Sequence, residues 1–190
     1  MRIFFVFIVF QICFNQIGWS QSSDTEQPIF FPKGNPACVY KKKYSPAKRL
    51  TFYPFNAAAS IKLVSFRYHK NDCPVKSDSV ITDSLIEIKE LSKKQIDSLT
   101  DILYNNFYKR TPNYGSLTMC DFPRNAILFY DSKGKLFESI LLCFHCNRHT
   151  ESSENIIWGD DCTQKIEKLR QFFVLVEMYF GTNRDILSEP

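Results

Sequence analysis

The chain is short of the parts from which most catalytic sites are built. Its 190 residues hold six glycines, thinly spread, so no glycine-rich loop exists to cradle a phosphate. There are three histidines, His69, His145 and His149, and neither a Gly-x-Ser-x-Gly elbow nor a His-Glu-x-x-His helix accompanies them. No Asn-x-Ser/Thr acceptor occurs, no internal repeat and no low-complexity segment. The formal net charge of +4 is too mild to argue for nucleic acid. No apolar run reaches the roughly 20 residues of a membrane-spanning helix.

The longest apolar run, Ile3 to Phe14, is interrupted only by Gln11, follows the positive Arg2 and precedes Gly18-Trp19-Ser20. A charged start, an apolar core and small residues at the third and first positions before the cut, Gly18 and Ser20, predict an export signal over residues 1–20, cut between Ser20 and Gln21. Cys13 follows Ile12 rather than a small residue, which reads as a discarded signal cysteine and not a lipid anchor. The expected localisation is exported, periplasmic or extracellular, with no transmembrane segment after cleavage. Residues 21–36 are polar and punctuated by Pro and Gly, which predicts a flexible lead-in. Residues 37–190 then suit a single domain with a substantial core.

Six cysteines remain beyond the signal: Cys38, Cys73, Cys120, Cys143, Cys146 and Cys162. An even number in an exported chain favours disulfides, acting as staples on a domain long enough to fold without them. Cys162 is expected to pair with Cys38 or Cys73.

Periodicity predicts an α+β fold with an antiparallel sheet, a β-hairpin in the C-terminal half, and two helices packed on one face. Residues 59–69 read as a strand whose alternation slips between Leu63 and Val64, as in a bulge or a strand buried on both faces. Residues 84–91 read as a strand with Ile86 and Ile88 inward and Glu87 and Lys89 outward. Ser92 with Gln95 forms a capping-box pattern, and Ile96, Leu99, Leu103 and Phe107 predict a helix to about Tyr108. A loop follows at Thr111–Ser116. The hairpin comprises 126–130 and 136–143, with a turn at Asp131-Ser132-Lys133-Gly134. A last helix is expected from Asp161 to Gly181, with Ile166, Leu169, Phe173, Val176 and Phe180 buried.

If Tyr130 faces Lys135, Cys120 falls opposite His145, or opposite Cys146 after a slip of one residue, with Cys143 close by. Two chemistries fit that gathering. One is a disulfide from Cys120 to Cys146 or Cys143. The other is a Zn or Cu site built from Cys120, Cys143, Cys146 and His149, since Cys-x-x-Cys spacing suits one soft ion. A c-type haem is excluded, because Asn147 and not His follows the second cysteine. Asp160 and Asp161 stand where a helix start favours negative charge. Residues 33–49 carry Lys33, Lys41, Lys42, Lys43, Lys48 and Arg49 with no acid, which reads as a solvated loop or edge strand, or as a patch for an anionic surface.

The run Cys120-Asp121-Phe122-Pro123-Arg124 through Ile127 and Phe129-Tyr130-Asp131, followed by Gly134-Lys135 and Cys143-Phe144-His145-Cys146, resembles a group of small exported bacterial proteins of no known activity. The resemblance implies export and a shared hairpin, and it singles out Arg124 as a brace or an anion contact. The expectation is a non-enzymatic binding or interaction module with structural disulfides and no cofactor. Its partner would be a protein or an anionic envelope component, met through Lys41, Lys42, Lys43 and Arg124. The alternative is an envelope metal-binding or thiol-redox protein.

Overall fold

In a computed structural model, residues 37–68, 73–76, 78–109 and 122–183 are described. The expected signal, the lead-in, the 111–116 loop, His69 and Cys120 all lie outside them. The architecture is α+β, with antiparallel sheets of five and two strands.

The five-stranded sheet has the order β3-β2-β5-β6-β7, formed by Leu85–Glu90, Ser60–Phe66, Asn125–Tyr130, Leu136–Cys143 and Arg148–Glu151. β2 lies between β3 and β5 and is buried on both faces, which explains its broken alternation. The bulge sits at Ser65/Phe66, against β3, and not at Leu63/Val64. The expected hairpin is β5–β6, but its register differs from the simple expectation. Ala126 faces Leu141 rather than Ser139 or Ile140, because a bulge at Phe129/Tyr130 inserts a residue beside the Gly134 turn.

One face of the sheet carries Ile61, Leu63, Ile127, Phe129, Ile140 and Leu142. These join one core with Leu99, Leu103 and Tyr104 of α2 (Lys93–Tyr104) and Ile166, Leu169, Phe172 and Phe173 of α3 (Lys165–Leu175). The opposite face holds a smaller cluster of Val64, Phe66, Ala126, Leu128 and Leu136 with Val75.

β3 reverses the sequence expectation. Ile86 and Ile88 are 45% and 55% exposed, while Glu87 and Lys89 lie on the helix-side face. Leu91 sets the phase: it is buried in the main core, and period-two alternation carries Lys89 and Glu87 to its side. There the Glu87 carboxylate accepts from Ser65 Oγ (2.8 Å) and from the backbone N–H groups of Tyr179 and Phe180 (both 3.1 Å). Hydrogen bonds to the chain after α3 thus override the hydropathy of the strand.

Both helices are shorter than their apolar stripes. α2 begins as expected: Ser92 Oγ accepts from Gln95 N (3.4 Å), and the Gln95 side chain accepts from Ser92 N (2.8 Å). It stops at Tyr104, and Phe107 lies instead in β4 (Asn106–Tyr108), paired with β1 (Cys38–Tyr40). The Asn105 side chain causes this break by engaging both backbone groups of Tyr44. α3 starts four residues after Asp161, because Cys162 is tied to Cys38 in a disulfide and Asp160 is used elsewhere, accepting from Tyr108 N (2.8 Å). Neither aspartate caps the helix. Its end comes at Val176, with Glu177 at φ +67°, so Phe180 falls outside the helical stripe.

Candidate functional site

The basic segment is built on a fixed frame. Ser45 caps α1 (Pro46–Arg49), and Pro46 opens it. On the other side β1 pairs with β4, and Cys38 is bonded to Cys162. Between these anchors Lys41 N donates to Asn105 O (2.8 Å), Lys43 N to Lys41 O (2.7 Å) and Tyr44 N to Asn105 Oδ1 (2.9 Å). The loop is therefore held against the C-terminal end of α2 by its backbone, while Lys41, Lys42 and Lys43 stand exposed.

Two neighbouring acids, Asp97 and Asp101, are turned towards a buried arginine. Arg49, expected to be solvated, is 2% exposed, and its guanidinium meets Asp97, Asp101 (3.2 Å), Thr100 Oγ1 (3.2 Å) and Tyr44 O (2.9 Å). Asp97 and Asp101 are thereby engaged internally. Lys43 Nζ lies 5.0 Å from the Tyr44 ring and 5.3 Å from that of Phe107, both cation–π distances. Among the described residues, Lys41 and Lys42 make no ion pair. Arg124 belongs to a different part of the fold. It sits half-buried at the head of β5, where its backbone N–H donates to Leu142 O and its carbonyl accepts from Phe66 N.

At the end of the hairpin, Cys143 closes β6 and residues 144–147 turn the chain into β7, with Asn147 at φ +54°. Cys146 N donates to Cys143 Sγ (3.2 Å), and Cys146 is disulfide-bonded. A sulfur in a disulfide is not a thiolate ligand. His149 turns to other partners. Its ring stacks on Trp158 (3.8 Å, 15°), with Nε2 3.0 Å from Glu151 Oε1 and Nδ1 3.9 Å from Asp161 Oδ1. The hydrogen bond from His149 holds the Glu151 carboxyl below its ordinary range, against the opposing effect of burial. Among the described residues, no group of three or more His, Cys, Asp or Glu is disposed to hold a metal ion.

Two buried polar assemblies escaped the sequence reading. Lys165 is fully buried and donates to Leu103 O (2.9 Å) and Trp158 O (3.2 Å). Gly159 allows that approach: its φ is +79°, and a Cβ there would lie 2.7 Å from Leu103 O. The second assembly surrounds Glu138 on β6, which accepts from Ser152, Ser153 (2.6 Å) and Tyr53 (2.8 Å). Burial pushes this carboxyl up, but the three hydroxyl donors outweigh it and hold it below its ordinary value, while the Tyr53 phenol is pushed up to about 12 by burial and by this contact. Both assemblies fasten loops to the core. Local patterning signals neither, since a lysine at a helix start and a glutamate in a strand ordinarily face water.

Comparison with protein-family models, with the curated proteins and with the solved structures finds no match to this chain. Among the described residues, no helix is long and apolar enough to cross a membrane.

Proposed function

We propose that the chain is an exported, disulfide-stapled binding module whose Lys41–Lys43 loop meets an anionic partner. The observation that carries this reading is a run of three exposed lysines fixed by its own backbone, beside acids already committed to Arg49. An ordinary charge run is solvated and mobile, so holding it against a partner costs conformational entropy. Here much of that cost is met on folding, which favours binding. The Cys38–Cys162 disulfide and the export-signal pattern support a disulfide-permissive compartment. The resemblance to small exported bacterial proteins supports the same address.

Each lysine near an anionic surface contributes roughly 1 kcal/mol, so K41E/K42E/K43E should weaken binding by about a hundredfold or more. The measurement is binding to phosphatidylglycerol–phosphatidylcholine vesicles and to polyglutamate at low and moderate salt. The wild type should bind and lose affinity as salt rises. The variant should bind weakly at both salts with its melting temperature unchanged. Equal binding by the two proteins, or none by the wild type to either probe, would refute the patch.

One observation favours a second reading. The Cys146 N–H donates to Cys143 Sγ (3.2 Å), so the two cysteines of the Cys-x-x-Cys turn lie close together, as ligands of one soft ion would. In that reading reduction frees Cys146, and Cys120, Cys143, Cys146 and His149 take up Zn or Cu(I). Stoichiometric metal on the reduced protein, lost on denaturation, supports it, and absence of uptake removes it.

A further inference from the structure

We infer that β3 is a self-association edge: two copies pair β3 with β3 antiparallel about a two-fold axis at Ile88, joining their five-stranded sheets. Among the described residues, β3 is a terminal strand of its sheet. Leu91 N donates to Ile61 O (2.9 Å), which fixes the hydrogen-bonding phase. By alternation the backbone groups of Leu91, Lys89 and Glu87 face β2, and those of Ile88 and Glu90 face outward; Ile86 is the extra residue of the bulge opposite Ser65/Phe66 and ends the regular ladder.

The two edges of the sheet differ in kind. β7, at the far edge, reads Arg-His-Thr-Glu, the charged pattern that deters strand addition. At β3 the outward-facing Ile88 is 55% exposed, and Ile86, in the adjoining bulge, is 45% exposed. Exposed Tyr179 is held to the same strand through its N–H on Glu87.

The strand is complementary to itself in one register. With the axis at Ile88, that residue faces its own copy and Glu87 faces Lys89 of the second copy, while Ile86 lies in the bulge beyond the regular pairing. An axis at Glu87, Lys89 or Glu90 would set like charges directly opposite, which is destabilising. An axis at Ile86 would run the pairing into the 3-10 turn at Thr82–Ser84. Ile88 is also an outward-facing position, so its pair with its own copy exchanges two backbone hydrogen bonds. These points commit the edge to a second copy of this chain and not to an unrelated peptide.

Sedimentation equilibrium of the wild type, from low micromolar to near-millimolar concentration, should show a monomer–dimer equilibrium. Ile88→Lys should weaken it at least tenfold with an unchanged melting temperature, because the side chain is half-exposed. In a hydrogen-bonded pair the Cα atoms lie about 5.5 Å apart, inside the disulfide range of about 4.4–6.8 Å. Ile88→Cys should therefore form a covalent dimer on mild oxidation, while Ile86→Cys, in the bulge and away from the axis, should not. A wild type that stays monomeric throughout, a dimer untouched by Ile88→Lys, or equal cross-linking at both positions would each overturn the inference.

Discussion

Replacing Cys38 and Cys162 together by serine should lower the unfolding free energy by about 3–5 kcal/mol. The two cysteines are 124 residues apart in sequence, so the bridge removes a large loop-closure entropy from the unfolded chain. It also fastens a weak element. β1 has three residues and, among the described residues, pairs only with the three of β4, an area too small to persist unaided. Beyond the bridge, Cys38 N donates to the Gln164 side chain (2.5 Å) and little else of β1 touches α3. The loss should therefore be uneven. In hydrogen exchange the amides of Val39, Lys41 and Tyr44 should lose protection first, with β2, β5 and β6 keeping theirs relative to global unfolding. Affinity for an anionic probe should fall too, since the lysine loop would no longer be held. An unchanged denaturation midpoint in the double variant, or uniform loss of protection across the domain, would contradict this account.

What could be read in advance follows from which forces act locally. The capping box at Ser92/Gln95, the hairpin turn at Gly134 and the interior strand around Leu63 are local patterns, and each stands where the sequence places it. Helix ends, strand phase and register did not follow, because distant partners decide them. Phe107 continues the spacing of α2, yet Asn105 bonds Tyr44, 61 residues away, and the chain leaves the helix. Ile86 and Ile88 are apolar and alternate correctly. Their outward turn is set by what Glu87 meets after α3, 92 and 93 residues on. A one-residue bulge at Tyr130 shifts the whole hairpin register, and neither flanking side chain announces it.

The candidate site was legible as composition and not as geometry. Lys41, Lys42 and Lys43 stood out as a run without acids, and the structure adds the rigid backbone beneath them. Arg49 looked like one more surface cation, but two aspartates a helical turn apart on α2 draw it inside. Cys162 with Cys38 was one of two pairings open to that cysteine on compartment and count. Choosing between them required knowing that β1 begins beside the start of α3.

Lys165 carries the other large effect. Lys165→Ala should cost about 3–5 kcal/mol, since it opens a cavity and strips two buried carbonyls, Leu103 O and Trp158 O, of their donor. Lys165→Met keeps most of the volume and isolates the charge. Burial pulls the lysine down from 10.5 to about 8, against the opposing attraction of Asp161 and Asp160. Below pH 8 the ammonium is present in both folded and unfolded chains, and its burial is a constant cost. Between about 8 and 10.5 the unfolded chain holds the proton that the folded chain has released, so stability rises with pH. The neutral amine still has two N–H groups for the two carbonyls. Wild-type stability measured against Lys165→Met should accordingly grow by about 3 kcal/mol from pH 7 to pH 10.5. Using the variant as reference cancels groups common to both proteins, such as Tyr53, whose raised pKa destabilises the fold at still higher pH. Urea denaturation of the two proteins at matched pH makes the measurement. A difference that stays flat across the window would mean that Lys165 keeps its proton in the fold, with Asp160 and Asp161 compensating its burial in full.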